Sequence, residues 1–151
     1  MTKSFTADVR NWTEKAKRNA VLIVKQSIQD AGQEMTNAED GIVRGAPFKE
    51  GVVPVDEAEL INSSVVIVDG ATSGRGEGGQ GPDFTGALAG FEAGDYVEIG
   101  FTAKHARRRE YGFSGQDSLG RTYDEPGRFM VRNAAQQWNT IVQGNAAKLK
   151  D

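Results

Sequence analysis

The chain contains one histidine, and its neighbourhood is the first place to look for catalysis. His105 is followed by Arg107-Arg108-Arg109 and then Glu110. An imidazole acts as a general base when a carboxylate orients it, and Glu110 is close in sequence. No nucleophile or oxyanion donor accompanies the pair. A histidine at the edge of a strand, on the surface or in an interface, explains the same residues with fewer parts. The arginines themselves can neutralise phosphates without reading bases. Aromatic interleaving is limited to Tyr111 and Phe113, so a solvated patch or a salt-bridging subunit contact is the first reading. A lining that meets passing nucleic acid through Arg107, Arg108 and Arg109 is the second.

A second candidate is Gly74-Arg75-Gly76-Glu77-Gly78-Gly79, which has the form G-x-G-x-x-G and follows an expected strand. Dinucleotide binding needs a helix opening at the last glycine so that its amides can hold the pyrophosphate. Here Gln80-Gly81-Pro82-Asp83 continues as loop, and the glycines read as a flexible connection. The absence of cysteine removes thiolate chemistry and Cys-based metal sites. Twenty-one acidic residues include no Asp/Glu/His grouping with metal-loop or acid/base spacing. Asp83, Asp117 and Asp124 are explained by turn chemistry. No catalytic, cofactor-binding or metal-ligating residue is assigned, and neither an enzyme nor a small-molecule substrate is expected.

The elements that would position any of these residues follow from periodicity. From Phe5 to about Ala31 the apolar residues Phe5, Val9, Trp12, Ala16, Ala20, Ile23, Val24 and Ile28 recur at steps of three and four, which predicts one apolar helix face lying on a core. Ser4 or Thr6 can cap the helix, and Gly32 is placed to end it in the left-handed conformation. Residues 34–55 read as irregular. A helical turn is expected from Asp56 to Ser63 with Leu60 and Ile61 inward, then a strand from Ser64 to Asp69 closed by Gly70. Asp95 to Phe101 alternates, with Val97, Ile99 and Phe101 toward the core. A second strand-like segment ends at Tyr111-Gly112-Phe113, and Ser114 to Glu125 reads as polar loop. A final helix carries Phe129 or Met130, Ala134, Trp138, Ile141, Val142 and Leu149 on one stripe, with Asp124 or Glu125 as cap and Pro126 in the first turn. Both tryptophans fall at core spacing and read as packing.

At 151 residues, 38% hydrophobic and 26% charged, the chain matches a single globular domain over 1–151 with one core. Nineteen glycines against four prolines exceed the usual glycine share of about 7%. Their crowding between Gly70 and Gly94 marks Ala71 to Ala93 as a flexible loop. The N-terminus lacks the apolar stretch of a secretory signal, and no apolar run is long enough to span a membrane, so the chain is expected to stay where it is made. A net charge of −3 provides no overall field for nucleic acid. The expected class is α+β: a small antiparallel sheet packed against long N-terminal and C-terminal helices, with a long Gly-rich loop.

In series, these segments resemble the small head-tail joining proteins of long-tailed bacteriophages, also called neck or tail-completion proteins. Val53-Pro54-Val55-Asp56 and Leu60-Ile61-Asn62-Ser63 are similar to the family's tPvdTG-x-L-x-x-S stretch, with Glu57-Ala58 standing where Thr-Gly is usual. Gly94-Asp95-Tyr96-Val97-Glu98-Ile99-Gly100 looks like its gD-x-v-x-iG strand. His105-Ala106 with Glu110-Tyr111-Gly112 looks like its pYA-x-x-x-E-x-G strand, His105 replacing Tyr. Pro126-Gly127-Arg128-Phe129-Met130-Val131-Arg132-Asn133-Ala134-Ala135 is similar to the p-x-fm-x-x-A start of its last helix.

The resemblance implies a virion component, made in the host cytoplasm, that assembles as a homo-oligomeric ring of about six copies between the tail tube or tail terminator and the head connector. It carries no catalytic residues. A ring subunit buries surface on every side, and long polar loops can order on such contacts. Ala71 to Ala93 and Ser114 to Glu125 are therefore the expected contact segments, with Arg75, Phe84, Leu88, Phe91, Arg107, Arg108, Arg109 and Tyr123 as contact residues. If the ring surrounds a DNA channel, only transient, non-specific contact with the three arginines is expected. A non-specific nucleic-acid-binding module is the alternative.

Overall fold

The computed structural model describes residues 4–39, 48–54 and 58–149. Helix α1 spans Phe5–Met35 and is ~46 Å long at the α-helical rise. The Ser4 hydroxyl caps it, accepting from the Ala7 amide at 3.3 Å. Gly32 does not end the helix. It lies buried inside it, and the Phe84 ring occupies the place where its Cβ would stand. This glycine serves close packing, and α1 continues until Thr36.

Two short strands, β1 (Ala38–Glu39) and β2 (Val53–Pro54), pair in parallel. Residues 40–47 of the segment read as irregular, and Val55, Asp56 and Glu57, lie outside the described residues. The expected helical turn is α2 (Glu59–Asn62), and it buries Leu60 and Ile61. Ala58 precedes it at φ +57, so the chain adopts there the left-handed turn that a glycine would make without strain.

The central sheet has the order β4-β3-β5, all antiparallel, from β3 (Ser64–Val68), β4 (Ala71–Arg75) and β5 (Val97–Phe101). Strands β3 and β4 are joined by Asp69-Gly70, both at positive φ, which matches the right-handed twist of a tight hairpin. The second half of the segment read as loop forms a helical turn, α3 (Phe84–Ala87), capped by Asp83. The structure thus corrects the loop expected over 71–93. Its glycines allow close approach: a Cβ on Gly74 would stand 2.8 Å from that of Ala87, and one on Gly81 would strike Thr36.

After β5 the chain forms α4 (Ala106–Tyr111) where a strand was expected, then a hairpin of β6 (Gly112–Gln116) and β7 (Thr122–Pro126) where a polar loop was expected. Helices α5 (Met130–Gln136) and α6 (Trp138–Lys148) close the chain. Pro126 ends β7 and does not start a helix.

Among the described residues the interior forms two apolar clusters where one core was expected. Val53, Leu60, Ile61 and Met130 join α2, β2 and α5, with Phe101 and Ala106 against them. Val66, Phe84, Ala87 and Leu88 join the sheet to α3, with Ile28 of α1 and Val97 and Ile99 of β5 alongside. Each fully buried aliphatic side chain contributes about 1.5–3 kcal/mol. The class is α+β, a small antiparallel sheet with long terminal helical elements packed on it.

Two substitutions test these backbone assignments with opposite signs. Gly32→Ala must displace the Phe84 ring and is expected to lower stability by about 1–3 kcal/mol in denaturant unfolding. Ala58→Gly releases a left-handed alanine and is expected to raise stability by up to about 1 kcal/mol. Equal effects in the two variants would contradict the packing described.

Candidate functional site

The arginine run and Glu110 lie on α4, whose helical geometry spreads successive side chains around the axis. Glu110 points inward, 7% exposed. Its two carboxylate oxygens accept from the first free amides of α5: Val131 N–H at 3.0 Å and Arg132 N–H at 2.9 Å. The backbone continues the joint, with Arg128 N–H donating to Arg109 O at 2.8 Å and Phe129 N–H to Glu110 O at 3.1 Å. Phe129, at the cap position of α5, is left-handed (φ +52) and offers no side-chain cap. The expected caps, Asp124 and Glu125, belong to β7, and Glu110 from another helix takes their place. Gly112 and Gly127 complete the joint, because a Cβ on either would collide with the facing backbone.

Arg108 faces the β6–β7 hairpin. Its Nε and Nη2 donate to the two Glu125 oxygens at 3.0 and 2.8 Å, and its guanidinium lies 4.5 Å from the Phe113 ring centre and 4.7 Å from that of Tyr123. Bidentate pairing and stacking use the planar fork of arginine fully. Arg109 adds a longer contact to Glu125 at 3.7 Å. The Arg108 hydrogen bonds hold Glu125 below the ordinary carboxylate range, against the burial that pushes it up. At the hairpin tip burial pushes the Asp117 carboxyl up, but hydrogen bonds from the Arg121 amide and side chain, the Leu119 amide and the Tyr123 hydroxyl together hold it down. Leu119 stands out from this tip, 75% exposed.

The structure therefore separates the residues that the sequence groups. Arg108 and Tyr123 work inside the hairpin. Arg107 is exposed beside a shallow depression formed with Phe101, Tyr111, Met130 and Val131. Arg75 is exposed at the end of β4, opposite Val65. Phe84 and Leu88, expected as partner contacts, are core residues, and Phe91 packs against the same cluster. His105 precedes α4 with its Nδ1 3.9 Å from exposed Glu59, while Glu110 is fully engaged with α5, so the two form no acid/base pair. The Gly74–Gly79 motif ends in a tight turn at Gly78-Gly79, bridged between Glu77 and Gln80, with no helix to receive a phosphate. Among the described residues no cluster of three or more His, Asp or Glu could hold a metal, and no helix is long and apolar enough to cross a membrane.

One surface was misread from the sequence. The face of α1 expected to lie on the core is covered only in its C-terminal half. Asn145 of α6 donates to Ser27 at 3.2 Å and to Asp30 at 2.8 Å, and Lys148 and Leu149 lie beside Leu22, Ile23 and Gln26. Towards its N-terminus, α1 runs past the end of α6. There Phe5 is 83%, Val9 45% and Trp12 71% exposed. Trp138 is also partly exposed, at 37%. The signal available in the sequence was length, since a helix of ~46 Å exceeds the ~30 Å breadth of a small domain.

Glu110→Ala is expected to destabilise the fold by about 2–3 kcal/mol, the loss of a cap plus two amides left without acceptors, with Glu110→Gln recovering part of it; a cost under about 0.5 kcal/mol would refute the capping role. The hairpin should also be acid-sensitive. Glu125 and Asp117 both have folded-state values below their unfolded ones, so their contribution is present above the ordinary carboxylate range and lost as pH falls through it. Protection factors of the amides across Phe113 to Tyr123, taken against the intrinsic exchange rate at each pH, should fall on acidification, and less so in Glu125→Gln. Comparison with known proteins finds no matching family model, no matching curated protein and no matching solved structure.

Proposed function

We propose that the chain is a non-catalytic structural subunit of a tailed-phage neck or tail end, assembling as a ring of about six copies that completes the tail and joins it to the head connector. The observation that carries this reading is the exposure of large apolar side chains on two separate elements, the N-terminal half of α1 and the β6–β7 hairpin. Each presents apolar side chains to the outside: Phe5, Val9 and Trp12 on one, Leu119 on the other. Exposed apolar side chains on separate elements suit a component gripped by neighbours on several sides.

The resemblance gains support from the joint at Glu110. Glu110-Tyr111-Gly112 and the Pro126 stretch, two of the segments that carry the similarity, meet there in space, Glu110 capping the helix whose Met130 and Ala134 enter the interior. The nucleic-acid alternative loses its central cation, because Arg108 is committed to Glu125 and two aromatic rings. Arg107 and Arg109 remain for loose contact with passing DNA.

Purified chain mixed with tail tubes and connector rings, viewed by electron microscopy, should add a ring-shaped layer at the tube end. Replacing residues 117–121 by a two-residue Asn-Gly turn should abolish that layer and leave the circular dichroism of the body unchanged. Failure of the intact chain to join either structure at concentrations on the order of tens of micromolar would overturn the proposal.

A further inference from the structure

Phe5, Val9, Trp12 and Ala16 stand four, three and four residues apart, the spacing of a heptad seam with Phe5 and Trp12 at d and Val9 and Ala16 at a. All four are exposed in α1. We propose that this seam pairs with the same seam of a second copy of the chain, antiparallel and about a two-fold axis. The inference draws on the same exposed α1 residues as the assembly reading above, and it is tested on the chain alone, so that failure to self-associate and failure to join tail tubes are separate outcomes.

Three features select this occupant and this direction. The first is shape. Antiparallel packing sets a against d, so that Trp12 faces the partner's Val9 and Phe5 faces the partner's Ala16. Every layer then joins one large and one small side chain, as interdigitated packing requires. A parallel pair would stack Trp on Trp and Ala on Ala. The second is charge. In the same register Asp8 and the partner's Lys15 lie on the same g flank of the seam, offset by two residues along the axis and so within reach of each other, twice by symmetry, while Thr6 and Thr13 flank its other side at e. Parallel pairing sets Asp8 beside Thr13 and offers no ion pair. The third is length. The register sets Ser4 opposite Lys17, so the overlap of the described residues leaves residues 18–21 between it and Leu22, where α6 begins to cover α1, and the two partners do not compete. The exposed stretch has the length that its own copy needs.

The size of the contact fixes its strength. Two aromatic side chains, a valine and an alanine per copy bury on the order of 1,000 Å² in total. That is at the low edge for specific complexes, so the pair should be reversible, with a Kd in roughly the micromolar range.

Sedimentation of the full chain from roughly 1 to roughly 300 µM should show a monomer–dimer equilibrium. Trp12→Ala, at an exposed position, should keep the melting temperature and weaken dimerisation at least about thirtyfold. Asp8→Lys and Lys15→Asp should each weaken self-association about tenfold. Mixed together they should form a heterodimer, since the first brings two lysines and the second two aspartates to opposed positions. A chain that stays monomeric over the whole range overturns the proposal. So does a dimer that Asp8→Lys leaves unchanged, or a mixture of the two charge variants that fails to associate.

Discussion

The buried carboxylate of Glu110 is the constraint on which the rest of the molecule depends. The first amides of a helix lack intrahelical acceptors, and α5 begins from a left-handed Phe129 that provides none. Glu110 supplies both acceptors from α4, which couples the direction of one helix to the position of the other. With α5 placed, Met130 reaches the cluster formed by Val53, Leu60 and Ile61. With α4 placed, Arg108 reaches Glu125 and the two rings of the hairpin. One side chain thus holds core and appendage in register.

Much of the architecture was legible in the residue pattern. The apolar steps of α1, the β-branched run of β3 and the alternation of β5 report strong local periodicity, and the structure has each of these elements; the one final helix expected is divided into α5 and α6, and Trp138 and Leu149 of its stripe are partly exposed. The central hairpin was missed although Asp69-Gly70 is a strong turn signal, because β4 reads Ala-Thr-Ser-Gly-Arg and has no apolar side to announce it. Glycine content was taken as flexibility. In Gly74 and Gly81 of the segment read as flexible, and in Gly32, read as a helix end, it reflects crowding, since each meets a neighbour's side chain where a Cβ would be. Composition cannot separate these two uses of glycine, and only the partner atoms do.

The candidate surfaces were harder to read, for a related reason. Periodicity says that a helix has an apolar face and not what covers it. Phe5, Val9 and Trp12 continue the line of Ile23 and Ser27 without interruption, yet α6 ends before reaching them. The arginine run misled in the opposite sense. Three consecutive cations look like a single patch in sequence, and a helix distributes them so that Arg108 turns inward to Glu125 while Arg107 faces out. Phe84 and Leu88 looked like spare anchors in a loop and are the centre of an apolar cluster.

The hairpin has one consequence for kinetics. Its shape is set by its own side chains, the Arg108 fork at the base and the Asp117 network at the tip, so little torsional freedom remains to be surrendered when another surface closes on it. A ligand docking there encounters a finished peg. Preorganisation of this kind leaves encounter rates near their ordinary values and lengthens residence time instead; a single tip residue such as Leu119 would then govern how long a contact lasts and leave how often it forms unchanged.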